Sequence, residues 1–220
     1  MGRVVRTSIL AALVLSAPLL LIALGLPRFL AGLSLPDVQP VLLGRLEQQS
    51  IAPARLKKAQ AALQSALPTD GENRLWHAEI DAVLAGKNYQ RLDQARDLTV
   101  AGLAANPTNP RGWTLLCELD VALKRSDAAR CLDTAFFIGP FDWFVARRRT
   151  ALSVYLWPQL DSDTRDAAAR RLHLMWQTPQ LSEIDFAVAR TGNGKAMLAQ
   201  AFADDPEGRA QFDRARLGAR

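Results

Sequence analysis

The chain has 220 residues, 49% hydrophobic and 22% charged, with a formal net charge of +5. Arg3, Arg6 and Arg28 carry three of the positive charges in a 35-residue stretch without an acid, which leaves the remainder near neutral at +2. A near-neutral body argues against a nucleic-acid surface, which needs a dense basic face, yet it is long enough for one domain with its own core.

The basic head Met1–Arg6 is followed by Thr7 to Leu26, 20 residues without a charge. A helix of that length crosses a hydrocarbon core of about 30 Å. A cleaved leader would have a shorter apolar run. Its nearest cleavage site, Leu15-Ser16-Ala17, lies inside the run and is followed by Pro18. Residues 1–26 are therefore expected to be a cytoplasmic head and an uncleaved transmembrane anchor. Arg3, Arg6 and the amino terminus outweigh Arg28 beyond the run, and basic flanks stay on the cytoplasmic side. The expected location is single-pass in the inner (plasma) membrane, N-terminus cytoplasmic and C-terminal domain periplasmic. Gly2 is no myristoylation site, since position 6 is Arg.

Residues 27–52 read as a linker punctuated by Pro27, Pro36 and Pro40, with a short amphipathic helix at about 41–49. From Pro53 onward the pattern is helical, rich in Ala and Leu and without period-two alternation. The expected fold class is all-α. Prolines close successive helical runs at Pro68, Pro107, Pro140 and Pro179, with spacings of 39, 33 and 39 residues. Periods of that size with two helices per unit indicate a helical solenoid over residues 53–179, with an extra helix at about 53–66 in front.

The clearest unit runs from Pro107 to Pro140. Trp113 and Cys117 mark its first helix; Ala128, Leu132 and Ala135 mark its second. This pattern resembles the tetratricopeptide repeat, with Asp120 standing where that family has an apolar residue or Tyr. The flanking units are more degenerate: Trp76, Ile80, Val83, Ala95, Thr99 and Gly102 before it, with extra residues near Gly86-Lys87-Asn88, and Ala146, Thr150, Leu156, Ala168, Leu172 and Met175 after it. In that family the concave face is lined by successive first helices. The resemblance therefore implies a partner-binding groove at Arg74, His77 and Asp81, then Arg111, Thr114 and Glu118, then Phe144, Arg147 and Tyr155. Its mixture of charge and aromatics suits a protein ligand.

Residues 180–220 are expected to cap the stack. Ser182-Glu183-Ile184-Asp185 reads as a helix start, Thr191-Gly192-Asn193-Gly194 as a stop, and residues 206–220 as a charged helix that frays. Cys117 and Cys131 read as two small buried thiols rather than a disulfide, because their offset along the helix pair is about one turn. Arg147-Arg148-Arg149 reads as a basic turn on a solvated helix, or more sharply as a site for an acidic partner or lipid headgroup. Trp76 and Trp113 read as packing residues; Trp143, Trp157 and Trp176 lie near helix ends, where an indole can pack, stack on a sugar or anchor at a membrane interface.

No catalytic signature is found. His77 and His173 stand in different units without metal-ligand spacing, so no metal and no cofactor are expected. Gly192-Asn193-Gly194-Lys195 lacks the earlier glycine and the following Ser or Thr of a phosphate loop. Glu183 and Asp185 do not share a helix face, as a glycosidase pair facing one cleft would. The chain is accordingly expected to be a membrane-anchored extracytoplasmic scaffold or adaptor for a protein partner, with envelope or polysaccharide assembly as its setting. The alternatives are an accessory subunit of an integral-membrane synthase or exporter, and an enzyme acting on wall glycans.

Overall fold

A computed structural model describes residues 35–46, 51–65, 71–177 and 188–218. The expected anchor at residues 7–26, the break at Pro68 and the helix start at residues 182–185 lie outside them. Among the described residues no helix is long and apolar enough to cross a membrane, and every regular element is helical.

Among the described residues ten α-helices follow one another: α1 (Leu35–Leu46), α2 (Pro53–Ser65), α3 (Gly71–Ala85), α4 (Tyr89–Ala105), α5 (Pro110–Ala122), α6 (Ala128–Ile138), α7 (Ala146–Leu156), α8 (Ser162–Trp176), α9 (Gly192–Ala201) and α10 (Pro206–Gly218). Consecutive helices pack as pairs, and α1, α3, α5, α7 and α9 also touch in succession. The odd-numbered helices thus form one layer, with their partners behind.

Local chemistry sets the breaks. Pro110 opens α5 at a position whose N–H would have no helical partner, and Asn109 caps it by accepting from Gly112 N at 2.9 Å. Asn88 and Asp161 cap α4 and α8 in the same way. Gly86, at φ +55, turns the chain between α3 and α4. Small residues then let helices approach. A methyl group on Gly112 would stand 2.8 Å from Leu103 Cδ2 and 3.0 Å from Leu75. Thr99, Ala95, Ala135, Cys117 and Leu132 are fully buried at the crossings.

Several expectations change. Residues 35–46 are helix rather than linker, despite Pro36 and Pro40. Pro36 lies in the first turn, where no bond is lost. Pro40 forgoes one bond, and burial of Val38 and Val41 against Leu56, Ala59, Leu63 and Ile80 offsets it. The helix at Pro53–Ser65 is therefore α1's partner, not a solitary extra. Asp120, misplaced as an apolar repeat residue, is 1% exposed and bonds Arg96 Nε of α4 at 2.5 Å. Thr191 starts α9 rather than stopping a helix, accepting from Gly194 N at 3.0 Å. The charged terminal helix α10 is anchored on the stack: Phe212 is fully buried against Trp176 and Phe202. At its start Asp205 accepts from Gly208 N and meets His173 Nε2 at 3.0 Å, and these contacts hold its carboxyl below the ordinary range.

The arginine run is no solvated turn either. Arg149 is 2% exposed; its guanidinium donates to Thr114 Oγ1, Gly139 O and Pro110 O. It thereby ties α7 to the start of α5 and the end of α6. Burial pushes its pKa down to about 10, so it remains a cation at neutral pH.

Cys117 and Cys131 are paired as a disulfide, with Cα atoms 5.4 Å apart. Helix crossing at the α5–α6 turn removes the offset expected from counting residues along straight helices. The unreduced, denatured chain should show no free thiol on titration; two would restore the sequence reading. Replacing both cysteines by serine should lower stability by about 3 kcal/mol in urea denaturation, the size expected for closing a loop of this length.

Candidate partner-binding site

The layer of odd-numbered helices carries a shallow pocket, open on one side to solvent. Leu42 of α1, then Leu75 and Trp76 of α3, then Leu115 of α5 supply its apolar lining. Glu72, Glu79, Asn109, Arg111 and Arg148 supply the polar part. On α3 the lining residues are spaced at i, i+3, i+4 and i+7, which is one face of a helix. On α5 the cap places the site: Asn109 Nδ2 donates to Glu72 Oε2 at 2.8 Å while its Oδ1 holds Gly112 N. One side chain thus fixes both the start of α5 and the rotamer of Glu72.

Arg148 organises the far wall. Its Nε and Nη2 donate to the two oxygens of Glu118 at 2.6 and 2.5 Å, and its Nη1 lies 2.9 Å from Glu79 Oε1. The side chains of Arg148 and Glu79 are 10% and 9% exposed, that of Glu118 25%. Burial disfavours the cation, but Glu79 and Glu118 outweigh it and hold Arg148 above the ordinary arginine value. A planar fork meeting both oxygens of one carboxylate along one edge is the strong form of this contact. It joins α3, α5 and α7 through one guanidinium.

Of the nine residues expected in the groove, the structure brings three to this region. Arg111 lines the pocket, its Cζ 5.6 Å from the centre of the Phe144 ring. Phe144 stands beside it, partly exposed and stacked on Trp143 at 4.3 Å. Glu118 enters through Arg148. The other six are placed elsewhere. Thr114 is fully buried, donating to Pro110 O and accepting from Arg149. Arg74 reaches Ala101 O of α4 at 3.5 Å. His77 pairs with Asp81 at 3.6 Å, and Asp81 accepts from Gln60 of α2, so both face the neighbouring pair. Arg147 is half-buried, and Tyr155 is 62% exposed; neither lines the pocket.

The residues missed are Glu72, Leu75, Trp76 and Glu79 on α3, together with Arg148. Their signal was the stripe Glu72-x-x-Leu75-Trp76-x-x-Glu79, an apolar pair bracketed by acids on one face. Trp76, read as a packing residue, does pack against the α1–α2 core, yet it also lines the pocket. Its indole N–H is buried without a hydrogen-bond acceptor among the described residues.

No family model matches the sequence, and no curated protein matches it. Among solved structures the chain is similar to a thermophilic tetratricopeptide-repeat protein of Thermus thermophilus, at 21% identity and a TM-score of 0.50, over 87% of this chain and 99% of that one. The fold is tetratricopeptide-like. That likeness concerns architecture: paired helices stacked so that the first helix of each pair forms a common face.

Within this tetratricopeptide-like stack, replacing Arg148 by Met should leave two carboxylates in a low-polarity wall without their cation. The expected loss is about 3 kcal/mol, near the lower end for breaking a buried pair because Glu118 is partly solvated. Adding Glu79→Gln and Glu118→Gln should recover most of it in urea denaturation. A neutral Arg148→Met variant would show that the three helices are not coupled through this side chain.

Proposed function

We propose that the chain is a membrane-anchored extracytoplasmic scaffold that holds a protein partner through the pocket between α1, α3, α5 and α7. The observation that carries this reading is the pocket itself: an apolar lining of Leu42, Leu75, Trp76 and Leu115 beside charged groups, on the layer shared by four helix pairs. A peptide side chain would fill the apolar part.

The pocket's carboxylates speak against the glycan-enzyme reading. Hydrolysis of that kind needs two acids free to flank the scissile bond. Here Glu79 and Glu118 share Arg148, and Glu72 is held by Asn109. Their geometry suits a fixed charged rim better than proton transfer.

The anchor and the compartment rest on sequence and on one structural feature. Residues 7–26 are uncharged, and a Cys117–Cys131 bond is the kind that persists in an oxidising compartment. A role in envelope or polysaccharide assembly fits a domain tethered there. Tethering raises the domain's effective concentration near membrane complexes into roughly the millimolar range.

A photo-crosslinker placed at Leu42 in intact membranes should capture a discrete protein adduct. Arg111→Glu and Arg111→Ala, at a position outside the core, should each reduce it severalfold, whereas a crosslinker at exposed Gln94 should capture none. Equal capture from both positions, or capture insensitive to the substitutions, would remove the pocket from the proposal. Independently, a reporter fused after Arg220 should read as non-cytoplasmic and the mature chain should retain residues 1–26 by mass. A cytoplasmic signal would overturn the orientation, and loss of those residues would convert the anchor into a leader.

A further inference from the structure

The corner between α6 and α7 carries an aromatic run that the pocket does not use. Phe137, Phe141, Trp143 and Phe144 are 83, 71, 57 and 44% exposed within eight residues. Their neighbours are anchored: Phe136 is 6% exposed and Val145 fully buried, so the corner is fixed from beneath while its rings project outward. Exposed apolar groups gathered in this way mark a contact surface. Arginines stand at both ends. Arg111 lies 5.6 Å from the Phe144 ring, and Arg171 of α8 donates to Phe141 O at 3.4 Å. The segment's own acid, Asp142, caps the turn by accepting from Phe144 N at 2.9 Å and lies close to Arg171.

We propose that this corner seats on an anionic bilayer surface. Aromatic rings favour the headgroup level, and arginines beside them complement anionic lipid. The inference rests on the anchor reading above, and chain length supports it. Only residues 27–34 separate the uncharged stretch from α1. Fully extended they span at most about 28 Å, which keeps the described domain against the membrane. The corner would then fix which side of the stack faces the lipid.

The test uses the full chain reconstituted in phosphatidylcholine–phosphatidylglycerol vesicles, with and without bromine on the acyl chains. Trp143 is read as the difference in emission between the chain and its Trp143→Phe variant. Brominated lipid should quench that difference by at least half. Phe137→Ser with Phe141→Ser, both at exposed positions, should abolish the quenching while leaving the helical circular dichroism unchanged. Omitting phosphatidylglycerol should weaken the contact by about an order of magnitude, since each surface arginine contributes roughly fivefold. If the chain floats with the vesicles but Trp143 is not quenched, the corner lies off the bilayer and the proposal fails while the anchor stands. Capture of a protein by a crosslinker at Phe141 in place of quenching overturns it equally. A chain that does not float with the vesicles ends both readings.

Discussion

The common face of this molecule depends on one cation. Helices α3, α5 and α7 belong to successive pairs, and the apolar core runs from one pair into the next. What fixes the first helices laterally, on the side where a ligand would enter, is Arg148 between Glu79 and Glu118. An apolar contact could fill the same space, but it would not set an angle. A guanidinium that meets both oxygens of one carboxylate along one edge, and a second carboxylate through Nη1, has a preferred plane that orients the helices carrying them. Polar groups of this kind specify an arrangement more than they stabilise it, which suits a surface that must keep its shape without a ligand.

Arg149 solves the complementary problem behind that face. The carbonyls of Pro110 and Gly139 sit where α5 begins and α6 ends, positions at which helical backbones leave groups unsatisfied. One buried guanidinium meets both, together with Thr114. Adjacent arginines therefore do different work because successive residues on a helix point about 100° apart. Arg148 faces the common layer and Arg149 the junction between pairs. The desolvation that lowers the Arg149 pKa is the cost of placing a cation there, and its hydrogen bonds offset that cost.

The same rotation explains what sequence could and could not show. Helix ends were legible because they are written in local chemistry: Asn109-Pro110 starts α5, and Pro107 and Pro140 follow the ends of α4 and α6. Core positions such as Ala128, Leu132 and Ala135 were legible because burial demands small or apolar residues at fixed spacing. The face of α3 was not. A register set by matching Trp76 to Trp113 points to Arg74, His77 and Asp81, whereas Glu72, Leu75, Trp76 and Glu79 line the pocket. In Arg147-Arg148-Arg149 three identical residues hold no internal clue to which faces inward; only the partners on α3 and α5 decide. The disulfide was missed for a related reason: residue counting measures distance along helices, whereas the Cα separation of 5.4 Å is set by how α5 and α6 cross.

These features bear on how the proposed scaffold would discriminate among partners. Glu79 and Glu118 already have Arg148, and Glu72 already has Asn109, so a ligand gains little by bringing a cation to them and would have to break an existing pair to do so. Arg111 is differently placed, at the pocket's edge and over the Phe144 ring rather than between carboxylates. Affinity would then come mainly from filling the space beside Leu42, Trp76 and Leu115. Selectivity would come from the fixed rim, which penalises any group that buries a charge against it unpaired. A surface of that kind favours a segment with an apolar anchor over a strongly charged one.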